Sequence, residues 1–373
     1  MKILKKIFSV KNDGIYKIIT ILGIKIKRKS LFLMLKKEIE NLKKENKKQQ
    51  YILDKRYEQF LLVLNLVKNG YRVLNKLIDK IDDNELKKYQ IDTVFSILHG
   101  NCYSLDLNNP KSFNEKIQWL SLNYYANNDE IHKIVDKYEF KDYIKEKLGD
   151  GYTIPLLGKW DKPCDIDYDS LPEKFVLKSN WGGDGNQVKI IKNKVELNID
   201  ELNKELSKWI SFEGNPYYYA FNGPSKGSKP CIIAEEFVEE IEQGNHEFKI
   251  FCFNGEPELF YTANYDPNNH ANKFFAYYDL DFNRLPFING TWIDNSSNVQ
   301  KPAQWNQMLE ISKILSKDFP FVRVDFYLTQ ENLYLGELTF TPGGGLNKYT
   351  PVDWDYKMGE MLDISYLMEK KSA

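Results

Sequence analysis

Hydrophobic and polar positions alternate along residues 321–328 and again along residues 333–340, and the polar residues between these runs predict a β-hairpin. Arg323 and Asp325 fall on one face of the first strand, because side chains two positions apart share a face. Glu337 falls on the matching face of the return strand. We therefore expect the carboxylates of Asp325 and Glu337 to lie opposite each other on one face of the sheet.

Two carboxylates that are directly opposed across a pair of strands repel each other unless a cation lies between them. Mg²⁺ suits such a place, since it takes one or two protein carboxylates and completes its shell with water and phosphate oxygens. The pattern therefore predicts a Mg²⁺ site on Asp325 and Glu337. The alternative is a solvated hairpin face that carries two unrelated acids.

A second candidate site is the stretch FVLKSNWGGDGNQV, residues 175–188. A short apolar strand leads to Lys178, and the loop that follows contains Gly182, Gly183 and Gly185. Glycine permits positive φ, so successive backbone N–H groups can point at an anion, and the lysine supplies a charge for phosphate. The loop fits neither G-x-x-x-x-G-K-[ST] nor G-x-G-x-x-G. On its own, such a loop is more typical of a turn than of a nucleotide site.

The N-terminal part of the chain is basic. Residues 1–50 hold 15 Lys/Arg and 4 Asp/Glu, whereas the whole chain has a net charge of −1, so the rest is acidic. Residues 1–30 alternate apolar and basic positions, which predicts a hairpin or a segment that lies on an anionic membrane surface. A disordered tail is the alternative. The acidic body argues against nucleic acid as a partner.

Hydrophobic positions between residues 31 and 77 follow a 3-4 spacing, which predicts a long helix. Such a helix either pairs with a second copy as a coiled coil, giving a homodimer, or docks along the body of its own chain. Further along, residues 129–149 predict one helix that ends at Gly149, and Asn254-Gly255 predicts the turn of another hairpin.

Several classes of protein lack support in the sequence. The apolar runs are shorter than the roughly 20 residues that cross a bilayer, and no signal-peptide pattern opens the chain. The four cysteines lack C-x-x-C spacing and the four histidines are scattered, so we expect neither a zinc site nor disulfides. We expect a cytoplasmic protein with reduced thiols, in peripheral contact with the inner face of the membrane.

Two short acidic motifs suggest a different enzyme. Asp165-Ile166-Asp167 and Asp279-Leu280-Asp281 both fit the D-x-D pattern of metal-dependent glycosyltransferases. Because so short a pattern often arises by chance, it leaves glycosyl transfer as the alternative to the function inferred below.

Eight segments, taken in order, resemble the ATP-grasp superfamily, and most closely its TupA-like branch from bacterial surface-polysaccharide loci. Together they span residues 112–362. They read SFNEKIQWL, VDKYEFKDYI, YTIPLLGKWD, LPEKFVLKSNWGGDGN, IIAEEFVE, EFKIFCFNGEPE, FFAYYDLDFNRLPF and FPFVRVDFY…GELTFTPGGG.

The resemblance implies an α+β protein with an ATP-grasp fold, in which two αβ lobes with antiparallel sheets follow a basic arm and a long helix. Residues 84–128 show no βαβ alternation, so the Rossmann-like first domain of typical ATP-grasp enzymes is not expected. The predicted segments are the basic arm at 1–30, a helical segment at 31–90, an adaptor region at 91–135, the N-lobe at 136–230 and the C-lobe at 231–373.

The resemblance also implies roles for individual residues. ATP would lie between the lobes, and its phosphates would be neutralised by Lys137, by Lys178 and by Lys249 or Arg323, the two candidate catalytic residues. The strand CIIAEEFVE would be the hinge that reads the adenine edge. Its predicted contacts are Glu235, Glu236, Phe237 and Val238.

Thr339 departs from the superfamily pattern, because many ATP-grasp enzymes have asparagine two positions after the second metal carboxylate. A hydroxyl is a weaker metal ligand than an amide carbonyl, so we expect one tightly held Mg²⁺ on Asp325, Glu337 and Thr339. The following glycines and Lys348 are candidate contacts for the substrate carboxylate or the phosphoryl group. Tyr277 or Arg284 would face the substrate.

The resulting hypothesis is an ATP-dependent ligase that joins a carboxylate to an amine through an acyl phosphate. By resemblance, the carboxylate would belong to a uronic-acid-bearing glycan or glycan precursor in bacterial surface-polysaccharide (capsule-like) biosynthesis. A glycosyltransferase of such a locus is one alternative. A nucleotide-binding scaffold without catalysis is the other.

Overall fold

A computed structural model describes residues 8–13, 16–21, 24–27, 91–92, 95, 105–182, 187–211, 229–243, 247–266, 269–290, 293–294 and 299–372. The chain divides into two compact units, Met1–Leu77 and Ile78–Ala373. Within the part of the chain that the structure describes, no helix combines the length and the hydrophobicity needed to cross a membrane.

The first unit contains a three-stranded antiparallel sheet of β1 (Phe8–Asp13), β2 (Tyr16–Ile21) and β3 (Ile24–Lys27). This meander confirms the hairpin interpretation of the basic arm, while contact with a membrane stays a prediction. The long helix or coiled coil predicted between residues 31 and 77 lies outside the described residues.

The second unit combines helices with two main sheets. The helices whose bounds are described are α1 (Phe113–Asn123), α2 (Asp129–Ile134), α3 (Glu139–Leu148), α4 (Ile199–Trp209), α5 (Glu239–Gln243), α6 (Trp305–Ser316), α7 (Asp353–Met361) and α8 (Ser365–Ser372). Its strands are β4 (Leu156–Trp160), β5 (Phe175–Ser179), β6 (Val188–Ile191), β7 (Ile232–Glu236), β8 (Glu247–Phe253), β9 (Glu256–Asp266), β10 (Asn269–Asp279), β11 (Ile288–Asn289), β12 (Ile293–Asp294), β13 (Phe321–Leu328), β14 (Leu333–Thr339) and β15 (Tyr349–Thr350).

The larger sheet has six strands in the order β12-β10-β9-β8-β13-β14. All neighbours are antiparallel except β10 and β12, which run parallel. The strands β8 and β9 are joined at Asn254 and Gly255, whose positive φ angles of 50° and 88° form the predicted hairpin turn. The sheet therefore brings the predicted metal hairpin beside the strand that carries Lys249.

Aromatic side chains pack on both faces of the larger sheet. Trp305 of α6 contacts Phe260 on one face, with ring centroids 4.7 Å apart. Phe113 of α1 contacts Phe321 on the other face, with centroids 4.9 Å apart. The helices α1, α2 and α3 all contribute to this larger core. The predicted adaptor region at 91–135 is thus not a separate element where it is described, because its helices belong to the larger core.

The smaller sheet has four antiparallel strands in the order β4-β7-β5-β6. Leu202 and Leu206 of α4 cover one face and form a second core with Phe175 and Leu177. Since β7 lies inside this sheet, the predicted lobe boundary at residue 231 is wrong: the strand after that boundary belongs to the N-lobe. The helix α3, predicted for the N-lobe, packs in the larger core instead.

The single helix predicted over residues 129–149 is also wrong, because it breaks into α2 and α3 around Asp136. Oδ1 of Asp136 accepts hydrogen bonds from the backbone N–H of Tyr138 at 2.9 Å and of Glu139 at 3.4 Å. A side chain that bonds to nearby backbone N–H groups competes with the continuous helix. Gly149 ends α3 with φ 87°, as expected.

Candidate active site

Asp325 and Glu337 are directly opposed in the register of β13 and β14. In the next pair along the strands, Phe326 lies opposite Leu335, so Gly336 is an extra residue that forms a β-bulge in β14. A Cβ atom on Gly336 would lie 2.6 Å from the ring of Tyr327, so glycine makes room for that ring. The prediction that the two carboxylates share a sheet face is confirmed, whereas their role as metal ligands stays a prediction.

Arg323 and Lys249 surround Asp325 with positive charge. Arg323 donates from Nε to Oδ1 and from Nη2 to Oδ2, each at 2.6 Å. Lys249 Nζ donates to Oδ2 at 2.6 Å from the neighbouring strand β8. This explains how a carboxylate can be buried here, since it is paired and fully hydrogen-bonded. As predicted, Lys249 lies on the face opposite Phe248 and Ile250.

Arg323 also reaches the second strand of the hairpin. Its Nη2 lies 3.3 Å from Oε1 of Glu337 and 2.9 Å from Oγ1 of Thr339. The hydroxyl of Thr339 donates to the same Glu337 oxygen at 3.0 Å. One guanidinium therefore lies among the three predicted metal ligands and offsets the repulsion between the opposed acids.

The surrounding charges set the ionisation of Glu337. Partial burial opposes its charged form, but Lys137, Lys249 and Arg323 outweigh that cost and lower its pKa to about 2. Burial likewise opposes the charged form of Lys249, yet Asp325 and Glu247 raise its pKa well above the usual value. The side chain of Glu337 is 39% exposed, whereas that of Asp325 is 3% exposed. Glu337 is thus an ionised carboxylate that solvent or a ligand can reach.

The donor types suit Mg²⁺, but both oxygens of Asp325 already accept hydrogen bonds from Arg323 and Lys249, which would have to release one of them to a metal. Two carboxylates and a hydroxyl are hard oxygen ligands, and Glu337 is open to an incoming ion. Among the described residues there is no group of three or more His, Cys, Asp and Glu side chains that could hold a metal. A Mg²⁺ ion here would therefore depend on phosphate oxygens and water for the rest of its shell, as Mg²⁺ in nucleotide sites usually does.

Lys137 connects the hairpin to the glycine-rich loop. Its Nζ donates to the carbonyl of Gly182 at 2.5 Å and lies 3.8 Å from Oε2 of Glu337. The helix break at Asp136 holds it there, since the backbone N–H of Lys137 donates to the carbonyl of Asn180 at 2.9 Å. Burial lowers the pKa of Lys137, with nearby Glu337 opposing that shift. The two remaining predicted loop glycines, at positions 183 and 185, lie outside the described residues.

Lys178 lies on the side of the smaller sheet that α4 does not cover, and it pairs with Glu235 of β7. Nζ of Lys178 is 2.5 Å from Oε2 of Glu235, and Nζ of Lys141 is 2.5 Å from Oε1. Of the two glutamates predicted to contact adenine, Glu235 is thus held by two lysines. Burial opposes its charge, but Lys178 and Lys141 together lower its pKa.

The other predicted hinge residues follow at the end of β7. Glu236 is exposed, and its backbone N–H donates to the carbonyl of Pro155 at 3.1 Å. Phe237 and Val238 are half-buried. Their contact with adenine stays a prediction.

An apolar surface on the smaller sheet was missed by the sequence analysis. Lys178 pairs with Val188 and Val176 with Ile190 in the register of β5 and β6, so these side chains share the face that carries Lys178. Val188 is 38% exposed and Ile190 is 42% exposed, and Leu156 of β4 is 37% exposed. The alternation of Val188 and Ile190 with other residues predicts a strand. It does not indicate which face of the sheet α4 covers and which face stays open.

The glycines after β14 form a tight loop, with φ angles of 57°, 65° and 65° at Gly343, Gly344 and Gly345. Gln118 of α1 donates to the carbonyl of Gly344 at 2.5 Å and to that of Gly345 at 3.2 Å. Asn114 donates to the carbonyl of Asn347 at 2.8 Å and accepts from its N–H at 3.2 Å. The motif SFNEKIQWL therefore holds this loop in shape, a role that the sequence analysis did not assign.

The other residues predicted to contact the substrate or the phosphoryl group lie in different surroundings. Tyr277 is buried and stacks on Phe287, with centroids 4.2 Å apart, and its contact with a substrate stays a prediction. Arg284 forms a β-bridge with Tyr278 across a turn. Lys348 is exposed.

Both D-x-D motifs serve local turns. Oδ1 of Asp167 accepts from the backbone N–H of Asp169 and Ser170. Oδ1 of Asp279 accepts from the N–H of Asp281 and Asn283. Asp and Asn side chains in such positions stabilise turns, so these motifs give the glycosyltransferase alternative no support.

Two sheets, one carrying opposed carboxylates and the other a lysine beside a glycine-rich loop, are the architecture of an ATP-grasp protein. A family model described as TupA-like ATPgrasp matches residues 115–363, about two thirds of the chain. The chain belongs to this TupA-like ATP-grasp family.

The chain is also similar to two solved structures of ligase-type enzymes. The D-alanine–D-alanine ligase from Bacillus anthracis is 16% identical with a TM-score of 0.39, over 65% of this chain and 70% of that one. The N5-carboxyaminoimidazole synthetase from Staphylococcus aureus, solved with ADP, is 16% identical with a TM-score of 0.36, over 66% of this chain and 56% of that one. A comparison with curated proteins found no match.

Proposed function

We propose that the chain is an ATP- and Mg²⁺-dependent ligase that joins a carboxylate to an amine through an acyl phosphate. The observation that carries the proposal is the opposed pair Asp325 and Glu337, linked through Lys137 to the glycine-rich loop. If the two acids were unrelated residues on a solvated hairpin, no lysine from another part of the chain would be expected beside them. Here the acids and the phosphate-binding candidates of both sheets belong to one connected set of charges.

The nucleotide would lie between the two sheets. Lys137 and Lys178 would bind the phosphates, while Asp325, Glu337 and Thr339 would hold the metal. When bound, Mg²⁺ would neutralise part of the phosphate charge. The apolar side chains of Leu156, Val188 and Ile190 would contact the base, and the backbone of residues 236–238 would read its edge.

Arg323 and Lys249 would stabilise the transferred phosphoryl group. Both are buried cations on the same sheet face as Asp325, where they can stabilise the negative charge that develops on the phosphoryl group. A carboxylate oxygen of the substrate attacks the γ-phosphorus and ADP leaves. The amine nitrogen then attacks the acyl carbon, phosphate leaves, and the nitrogen gives up a proton. No protein nucleophile is needed, because the catalysis is positioning and electrostatic stabilisation.

The family context supports a carboxylate on a glycan or glycan precursor, such as a uronic acid, joined to an amino acid or amine during surface-polysaccharide biosynthesis. The basic strands of residues 8–27 would hold the enzyme at the anionic inner face of the membrane. Residues 31–77 would form a homodimer through a coiled coil.

The test is a screen for ADP release over pairs of uronates and amines. The wild-type protein is expected to release ADP only when a carboxylate, an amine, ATP and Mg²⁺ are all present. Glu337→Gln is expected to release ADP about 10²–10³ times more slowly, as for loss of a group that stabilises the transition state. Binding of ATP with no turnover on any pair would contradict the ligase and favour a scaffold.

A further inference from the structure

Glu235 is the central group of a buried cluster of three charges, which we call the Glu235 triad (Lys141, Lys178 and Glu235). Each carboxylate oxygen bonds to one lysine at 2.5 Å. Glu235 is 6% exposed, and the side chains of Lys141 and Lys178 are 13% and 18% exposed. Hydrogen bonds between ionised groups at this depth are strong and directional.

The triad joins two parts of the fold. Lys178 and Glu235 belong to the smaller sheet. Lys141 belongs to α3, whose Phe140 and Ile144 pack in the larger core. Nζ of Lys141 also donates to the carbonyl of Ile154, just before β4, at 2.6 Å. Lys141 therefore ties the charged face of the smaller sheet to a helix that the larger core holds in place.

The charges of the triad do not cancel, because two ammonium groups share one carboxylate. If Lys141 were neutral, Glu235 would form a one-to-one pair with Lys178 and offset its charge. A paired lysine is a poorer phosphate ligand, since the phosphate must compete with the carboxylate for it. With Lys141 present, one positive charge of the triad remains for an incoming anion.

We propose that Lys141 and Glu235 are positioning residues that fix Lys178 and keep its charge available to nucleotide phosphates. The inference rests on the proposed function, because it takes Lys178 to be a phosphate ligand. It also assigns Glu235 a role other than contact with adenine, since both of its oxygens already bond to lysines.

The test measures the dissociation constant of ATP with Mg²⁺ by calorimetry in a double-mutant cycle of Lys141→Gln and Glu235→Gln. Glutamine retains an N–H donor for the Ile154 carbonyl while removing the charge. We expect Lys141→Gln to weaken binding about tenfold in the wild-type background and less than about twofold in the Glu235→Gln background. Such non-additivity is expected only if Lys141 acts through Glu235.

Two further variants separate the effect of the charge on Lys141 from a general effect of changing a lysine on α3. Lys141→Arg retains the charge and is expected to bind within about threefold of wild type. Lys145→Gln is the matched control, because Lys145 lies one turn further along α3, is 65% exposed and pairs with Asp150. It is expected to bind as wild type does. Thermal unfolding followed by circular dichroism checks that each variant is folded.

Equal losses from Lys141→Gln in both backgrounds would overturn the inference, as would binding by Lys141→Gln at the wild-type level. A folded Lys141→Arg variant that binds as weakly as Lys141→Gln would overturn it too, because charge would then not be the property that matters. If wild type binds no nucleotide, the proposed function falls and the inference falls with it. Wild-type binding together with an unaffected Lys141→Gln variant overturns the inference alone.

Discussion

The two sheets of the second unit place their charges in different surroundings. On the larger sheet, Asp325 and Arg323 are buried next to a core of packed aromatic rings, and each charge has a direct partner. On the smaller sheet, Lys178 shares its face with the exposed side chains of Val188 and Ile190. One face is filled and fixed before a ligand arrives, while the other keeps open apolar surface.

This difference matches the chemistry proposed for each side. Groups that stabilise a reacting phosphoryl group act best when they are already oriented, so close pairing on the larger sheet favours catalysis. A flat aromatic base is bound mainly by burying apolar surface, so exposed aliphatic side chains on the smaller sheet favour binding. We expect substitutions on the larger sheet to change stability, turnover and the gain in ATP affinity that Mg²⁺ provides, and substitutions on the smaller sheet to change the affinity for the nucleotide itself.

The largest effect is expected from Asp325→Asn. It leaves Arg323 and Lys249 buried without their carboxylate, and removing one partner of a buried ion pair costs about 3–5 kcal/mol. Urea unfolding followed by circular dichroism measures the loss. Asp281→Asn is the control, because Asp281 is exposed at a turn. A loss below about 1 kcal/mol for Asp325→Asn would mean that the larger sheet is not fixed by this pair.

A smaller loss of stability is expected from alanine substitutions in the glycine loop that follows β14 of the larger sheet. Both Gly344 and Gly345 have φ 65°, so alanine is strained at either position by about 1–2 kcal/mol. A Cβ atom on Gly345 would also lie 2.9 Å from Nε2 of Gln118, whereas on Gly344 the nearest atom is 4.0 Å away. Gly345→Ala should therefore cost about 1–3 kcal/mol more than Gly344→Ala in urea unfolding. Equal costs would contradict a close fit of α1 against this loop.

A substitution on the exposed apolar face of the smaller sheet should change ATP affinity more than it changes stability. Ile190→Ala is expected to weaken ATP binding about fivefold, or about 1 kcal/mol of lost apolar contact, and to change the free energy of unfolding by less than about 1 kcal/mol. Calorimetric titration measures the first and urea unfolding the second. Val195→Ala is the control, because Val195 is 85% exposed outside the strands. An unchanged affinity for Ile190→Ala would remove this face from the nucleotide site.

The smallest effect is a dependence of stability on pH. Since the pKa of Glu337 is lowered from 4.5 to about 2, its ionised form stabilises the fold above its ordinary pKa. That contribution is lost as the pH falls through the window between these two values. The gap in unfolding free energy between wild type and Glu337→Gln should be constant above about pH 6 and narrow towards pH 3. A gap that widens on acidification would show that the local charges do not favour ionised Glu337.

The sequence predicts the site on the larger sheet better than the site on the smaller sheet. Alternation along β13 and β14 is a local pattern, so it places Asp325 and Glu337 on one face without knowledge of the rest of the fold. The role of Lys141 is not local, because Glu235 is 94 positions away and neither residue stands out by type. Contacts of this kind depend on how α3 packs, which periodicity does not describe.

The errors in the predicted boundaries have the same physical origin. The break between α2 and α3 depends on Asp136, whose side chain bonds to backbone N–H groups that a continuous helix would use. The segment 231–239 reads as a buried strand, which is correct for residues 232–235, but hydrophobicity does not reveal which sheet the strand joins. Asn114 and Gln118 are polar residues on an amphipathic helix, and the sequence gives no sign that they hold a loop more than 220 positions away.

The central claim is that a nucleotide and Mg²⁺ bind together at the carboxylates of Asp325 and Glu337. The most direct measurement is calorimetric titration of wild type and Glu337→Gln with ATP, each with and without Mg²⁺. We expect Mg²⁺ to strengthen ATP binding to wild type at least tenfold and to have little effect on Glu337→Gln. An equal gain from Mg²⁺ in both proteins would contradict the claim, because the metal would then bind without this carboxylate.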